Sequence, residues 1–285
     1  MEIITQGNGW IKVCGIGDFS VFKTFDCGQC FRFDSVPDDR YEHRVDGVAL
    51  GKAVSFAEKD GALYIRCTEE EYHSLWKSYL CLDTDYDKIN ENIISCLPEG
   101  DRAHMTLAVD TGKGIRILRQ DSWEALCSFI ISQNNNIPRI KKIIRAMSEK
   151  YGDDIGGAYS FPTAQALFAA GEDEIFALRT GFRAKYIFDA AKKVATGELD
   201  LKEVASKESY DEAAEMLMSI SGVGPKVAAC TLLFGFGRTD AFPVDVWIKK
   251  VIEKRFKSGL DHSLFGSSAG IAQQYLFYYE RYVGD

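Results

Sequence analysis

Near Gly114 the hydrophobic pattern of this chain changes its period. Before that point β-forming residues alternate or cluster at Trp10 to Val13, Phe31 to Phe33, Ala53 to Ala57 and Leu63 to Cys67, and the pairs Asp46-Gly47 and Asp60-Gly61 suit hairpin turns. After it, apolar residues recur three and four apart across Ser122 to Ile131, Ile137 to Met147, Thr163 to Ala170, Ala184 to Ala195 and Tyr210 to Ile220. That is the spacing of helices with one buried face. Asp121, with Glu124 three residues on, reads as a capping box, and Pro162-Thr163 opens another helix. Two textures in succession predict an α+β protein: an N-terminal antiparallel β domain with a helix or two over 1–112, then an all-helical region over 113–285.

With 285 residues and 46% hydrophobic content the chain can bury a sizeable core. No stretch approaches the ~20 apolar residues that span a bilayer, and the start lacks the pattern of a secretion signal. A soluble, unsecreted protein with no membrane partner is expected. The net charge of −8 argues against a nonspecific coat for nucleic acid, because such coats replace counterions with a basic excess. A narrow basic face or backbone amides could still hold phosphates. Eight cysteines without an export signal read as free thiols. Cys27-Gly28-Gln29-Cys30 is half of a zinc set, but no second pair follows and the histidines are scattered, so no metal or cofactor is expected.

The segment from Leu217 to Cys230 carries the most information. An amphipathic helix enters the turn Gly222-Val223-Gly224, and Pro225 stands where a helix begins, since its missing N–H is not needed there. This reads as a helix-hairpin-helix: the glycines admit a phosphate, and the amides of the second helix point at it. A tight turn between packed helices is the plainer alternative. Beyond it come the loop Gly235-Phe236-Gly237-Arg238 and the stretch Ala241 to Trp247, in which Asp245 precedes a further helical pattern and would cap it.

The hairpin, the Gly/Pro loop and the aspartate together resemble the signature of the helix-hairpin-helix DNA glycosylases, whose bifunctional members carry a catalytic lysine where Lys226 stands. Four further segments resemble one branch, the 8-oxoguanine DNA glycosylases: Cys27 to Phe33, Ser132 to Ile140, Thr180 to Tyr186 and Ala269 to Phe277. The resemblance implies a TBP-like N-terminal domain and catalytic roles for Lys226 and Asp245. It implies a base pocket of Gly28, whose carbonyl accepts from N7–H of the damaged base, Gln273 at the Watson–Crick edge, and Phe277 and Cys230 on the two faces. Asn134 would fill the hole left by the extruded base, Phe182 would wedge the duplex, and Arg139 and Arg183 would read the opposite cytosine. Gly222, Gly224 and Trp247 complete the expected DNA-binding set. Vertebrate relatives usually have histidine at the place of Trp247 and tyrosine at that of Phe182, which leaves a phosphate contact and a wedge hydroxyl open.

The implied function is a bifunctional glycosylase and abasic-site lyase that removes 8-oxoguanine opposite cytosine through a Lys226 Schiff base and β-elimination. A monomer acting on damaged double-stranded DNA is expected, cytoplasmic and nucleoid-associated in a prokaryote or nuclear in a eukaryote. Two alternatives stand beside it: a glycosylase of the same superfamily for another damaged purine, and a noncatalytic module that only grips DNA. Borohydride trapping separates the enzymes from the module.

Overall fold

The structure, a computed structural model, describes residues 1–256 and 259–283. Its N-terminal part is a six-stranded sheet with the order β1-β2-β6-β5-β4-β3, every neighbouring pair antiparallel. The strands are β1 (Glu2–Thr5), β2 (Trp10–Cys14), β3 (Phe33–Ser35), β4 (His43–Ala49), β5 (Lys52–Lys59) and β6 (Ala62–Arg66). Val13, Phe33, Phe56 and Ile65 bury one face of the sheet against Val21 and Phe25 of helix Val21–Asp26 and against Trp76 and Tyr79 of the helical stretch 69–79.

Three sequence expectations fail here. Asp46-Gly47 is not a turn; it lies inside β4, paired with β5. The turn is Leu50-Gly51, where both residues have positive φ (52° and 71°), as do Asp60-Gly61 (51° and 68°) at the next hairpin. Such pairs match the right-handed twist of the strands they join. Gly47 serves packing instead: a Cβ there would lie 2.5 Å from Cδ1 of Phe33. Gly47→Ala should therefore force β3 away from β4 and cost about 1–3 kcal/mol, the range for overpacking; a urea midpoint equal to wild type would contradict this.

Second, the predicted strand at Phe31 to Phe33 begins only at Phe33, and two strands lie outside the predicted ones: β1, short and mostly exposed, and β4, whose alternation Arg44 and Asp46 obscure. Third, the strand-like texture does not extend to residue 110. Helices Tyr86–Ser95 and Glu99–Gly112 follow the stretch 69–79, and their buried faces (Tyr86, Asn90, Ile93; Met105, Ala108, Val109, Gly112) join the helical core rather than the sheet. Polar Asn90 within one face hid its period. It accepts a hydrogen bond of 2.9 Å from the Tyr275 hydroxyl, and Gly112 lets the Tyr275 ring approach. These contacts seat helix Ala269–Tyr282, which lines the site.

The remaining helices follow the predicted pattern: Ser122–Ser132, Ile137–Tyr151, Ala164–Ala170, Ala184–Thr196, Tyr210–Met218, Pro225–Gly235 and Val246–Arg255 are the principal ones. The capping box at Asp121 forms by half. Asp121 accepts from the Glu124 amide at 2.8 Å, but the Glu124 carboxylate turns to Arg32, 3.4 Å away, and ties the helical region to the sheet domain. Among the described residues no helix is long and apolar enough to cross a membrane.

Candidate active site

Helices Tyr210–Met218 and Pro225–Gly235 flank the Gly-Val-Gly turn as predicted. Gly222 has φ 76°, and a Cβ on it would lie 2.5 Å from the Tyr186 ring, so both conformation and space require glycine. Val223 is buried and pins the turn. Gly224 occupies the N-cap of the second helix with no side-chain cap, and a Cβ there would meet nothing within 4 Å. The amides at this helix start are thus open to an anion, with the positive end of the helix dipole behind them.

Lys226 follows Pro225 in the first turn, half-buried, its Nζ 5.9 Å from the Phe129 ring centroid. Asp245 is the N-cap of helix Val246–Arg255, one oxygen accepting from the Ile248 amide at 2.8 Å. The cap and the site are not alternatives: Asp245 lines the same cavity as Lys226. That cavity, of about 70 Å³, also takes Gly28, Cys230, Gln273 and Phe277 into its wall. It opens into a cleft of about 450 Å³, where Lys226, Asp245, Gly28 and Phe277 recur beside Asn135, Trp247 and Arg281.

Two polar groups of the cavity wall lack a protein partner among the described residues. Gly28 has φ 82°, and among the described residues no hydrogen bond reaches its carbonyl oxygen. Gln273 is 6% exposed, yet its Oε1 has no partner. A buried amide oxygen left unpaired costs about 1–3 kcal/mol, an expense tolerated where a ligand will supply the donor. Burial pushes the Cys230 thiol up to about 11, against the pull of neighbouring Lys226. Near neutral pH it is a neutral, polarisable wall rather than a competing thiolate.

Two residues that the motif reading passed over hold this geometry. Gln29, fully buried, donates to the Thr24 and Arg116 carbonyls, each at 2.8 Å, and accepts from the Leu118 amide at 2.9 Å. Gln274 donates to the Cys27 carbonyl at 2.8 Å and so ties the loop bearing Gly28 to the helix bearing Gln273 and Phe277. Nothing in their spacing marked them; a glutamine is polar everywhere until its neighbours are known.

The other expected residues lie on the surface around the cleft, except one. Asn134 is exposed at φ 48° where helix Ser122–Ser132 ends, and Arg139 is exposed with one bond of 3.2 Å to the Arg179 carbonyl. Phe182 is 49% exposed and Trp247 is 56% exposed, so neither is core packing. Arg183 differs from its expected role as a cytosine reader. It is 2% exposed, and its guanidinium donates to the carbonyls of Gln133, Asn134 (2.8 Å) and Thr180 (3.1 Å) while stacking 4.4 Å from the Phe182 ring. In this arrangement it braces the asparagine loop, with four of its five N–H donors bonded to backbone carbonyls.

Both parts of the chain are similar to known proteins. Residues 13–126 match the family model "8-oxoguanine DNA glycosylase, N-terminal domain", and residues 127–261 match "HhH-GPD superfamily base excision DNA repair protein". A crystal structure of the 8-oxoguanine glycosylase/lyase of Clostridium acetobutylicum, in complex with double-stranded DNA containing cytosine opposite 8-oxoG, superposes with a TM-score of 0.88 at 36% identity, covering 99% of this chain and 98% of that one. The chain belongs to the 8-oxoguanine DNA glycosylase branch of the helix-hairpin-helix base-excision repair superfamily. Among curated members of the family, the "Probable N-glycosylase/DNA lyase" of Methanothermobacter thermautotrophicus is 30% identical over 64% of this chain and 68% of its own length. The "N-glycosylase/DNA lyase" of Saccharomyces cerevisiae is 38% identical over 51% of this chain, a stretch that spans only 43% of the yeast protein. The sheet followed by the helical glycosylase region is the architecture that the family resemblance implied.

Proposed function

We propose that this chain is a bifunctional DNA glycosylase and abasic-site lyase acting on oxidised purines, with 8-oxoguanine opposite cytosine as its substrate in duplex DNA. One observation carries the reading: Lys226, Asp245, Gly28, Cys230, Gln273 and Phe277, remote from one another in sequence, line one cavity beside an uncapped hairpin helix. Breaking the N-glycosidic bond builds positive charge on the sugar, which the Asp245 carboxylate would stabilise while the Lys226 amine attacks C1′. The imine so formed acidifies the neighbouring carbon, and the 3′ phosphate leaves by β-elimination.

Base choice follows from hydrogen-bond polarity. N7 of guanine is a bare acceptor that would repel the Gly28 carbonyl, whereas N7–H of the oxidised base donates to it. Phe277 and Cys230 would sandwich the ring, and Gln273 would receive donors from its Watson–Crick edge. Exposed Phe182 offsets stacking lost when the nucleotide leaves the helix, and Asn134 occupies the gap. Arg139, exposed beside them, is the first reader of the opposite base, and Arg183, most of whose donors hold the asparagine loop, supports it from behind.

The test is excision from oligonucleotides carrying one defined lesion each. Release of 8-oxoguanine opposite cytosine should exceed release opposite adenine and far exceed release of an alkylated purine. Equal rates opposite the two bases would remove the cytosine assignment, and faster release of the alkylated base would move the enzyme to another substrate.

A further inference from the structure

The helix Ala269–Tyr282 presents Gln273, Phe277 and Arg281 one above another, each four residues from the last: Gln273 on the cavity, Phe277 on both cavity and cleft, and Arg281 on the cleft. Residues so spaced share one helix face and span about 12 Å along it. Arg281 carries a cation at the cleft mouth, with Nη1 3.8 Å from the point where a Cβ on Gly28 would stand. Among the described residues its guanidinium makes one hydrogen bond, a long one of 3.3 Å to the Asp26 carbonyl. Among the described residues its Nε and Nη2 meet no acceptor and it forms no ion pair; the guanidinium lies 5.0 Å from the Tyr282 ring centroid, and the side chain lines the cleft.

We propose that Arg281 is a specificity-determining residue that donates to the oxygen on C8 of the oxidised base. The inference rests on the base-release reading above and adds a contact that the reading lacks. The geometry follows the order of the base's own edges. With Gln273 at the Watson–Crick edge and Phe277 over the ring, the next turn of the helix falls at the five-membered ring. N7–H directed at the Gly28 carbonyl puts the neighbouring C8 oxygen on the Arg281 side. A guanidinium there makes a charge-assisted hydrogen bond that normal guanine, with hydrogen at C8, cannot accept. Gly28 and Arg281 thus read the two atoms that oxidation changes, one as acceptor and one as donor.

The test uses the full chain with the variants Arg281→Gln and Arg281→Lys, on 8-oxoguanine opposite cytosine and on a preformed abasic site in the same duplex. Single-turnover release of 8-oxoguanine should fall roughly tenfold or more in Arg281→Gln, the scale of one hydrogen bond to a charged group. It should recover in part in Arg281→Lys, which keeps the cation and reports on folding. Cleavage at the abasic site, where no base remains to be read, should not change. An equal fall on both substrates would make Arg281 a backbone phosphate contact, and no fall on either would leave it an idle surface charge; each outcome overturns the proposal. Failure of the wild type to release 8-oxoguanine at all would instead strike the substrate reading that comes before it.

Discussion

Lys226→Gln will leave no covalent complex after borohydride treatment with 8-oxoguanine duplex, and strand cleavage will fall by roughly 10³-fold or more, the scale reached when a nucleophile is deleted from a prepared site. Glutamine is one atom shorter than lysine but keeps a polar end, and its amide nitrogen, with its lone pair delocalised into the carbonyl, cannot form an imine. The hairpin does not depend on this side chain: Val223 and the Gly222–Tyr186 contact hold the turn, and the helix amides open to an anion belong to the backbone. Binding to the lesion duplex should therefore survive within a few-fold, measured by anisotropy on the same samples. Trapping at the wild-type level would transfer the chemistry to another amine and end the assignment of Lys226.

Asp245→Asn should slow base release about 10²- to 10³-fold, as loss of one well-placed electrostatic stabiliser does, while leaving the thermal midpoint nearly unchanged. The two effects separate because Asp245 has two duties. Its hydrogen bond from the Ile248 amide is a helix cap, and asparagine caps as well as aspartate. Its carboxylate belongs to the wall of the cavity that Lys226 also lines, and asparagine brings no charge there. Asp245→Ala removes both and should lose a further ~1 kcal/mol of stability, the usual worth of such a cap. If Asp245→Asn released the base at the wild-type rate, the residue would be a cap alone.

How far these assignments could be read before the structure depends on the kind of signal each residue gives. Gly222, Pro225 and Asp245 announce themselves because glycine, proline and a capping aspartate act through the local backbone, and the chain on either side supplies the context. The helices after Gly114 were legible for the same reason: one-sided burial leaves its period in a contiguous stretch. Asp46-Gly47 misled because the same dipeptide suits a turn and a strand glycine facing a neighbouring ring, and only the position of Phe33 distinguishes them. The helix or two expected within 1–112 has no position in the sequence reading, because the buried faces of helices Tyr86–Ser95 and Glu99–Gly112 include Asn90 and Gly112, whose worth lies in the Tyr275 side chain they receive.

What the amino-acid order determined by itself was therefore the succession of sheet and helices, the hairpin, and the residue types on which the proposed chemistry rests. Tertiary structure alone decided that Gln274 would bind the Cys27 carbonyl, that Arg183 would spend its donors on the asparagine loop, and that Arg281 would stand over Gly28. The division has a physical cause. Backbone geometry and periodic burial are fixed by neighbours along the chain, whereas a long polar side chain takes its meaning from whichever distant carbonyl, ring or cavity folding brings within hydrogen-bond reach.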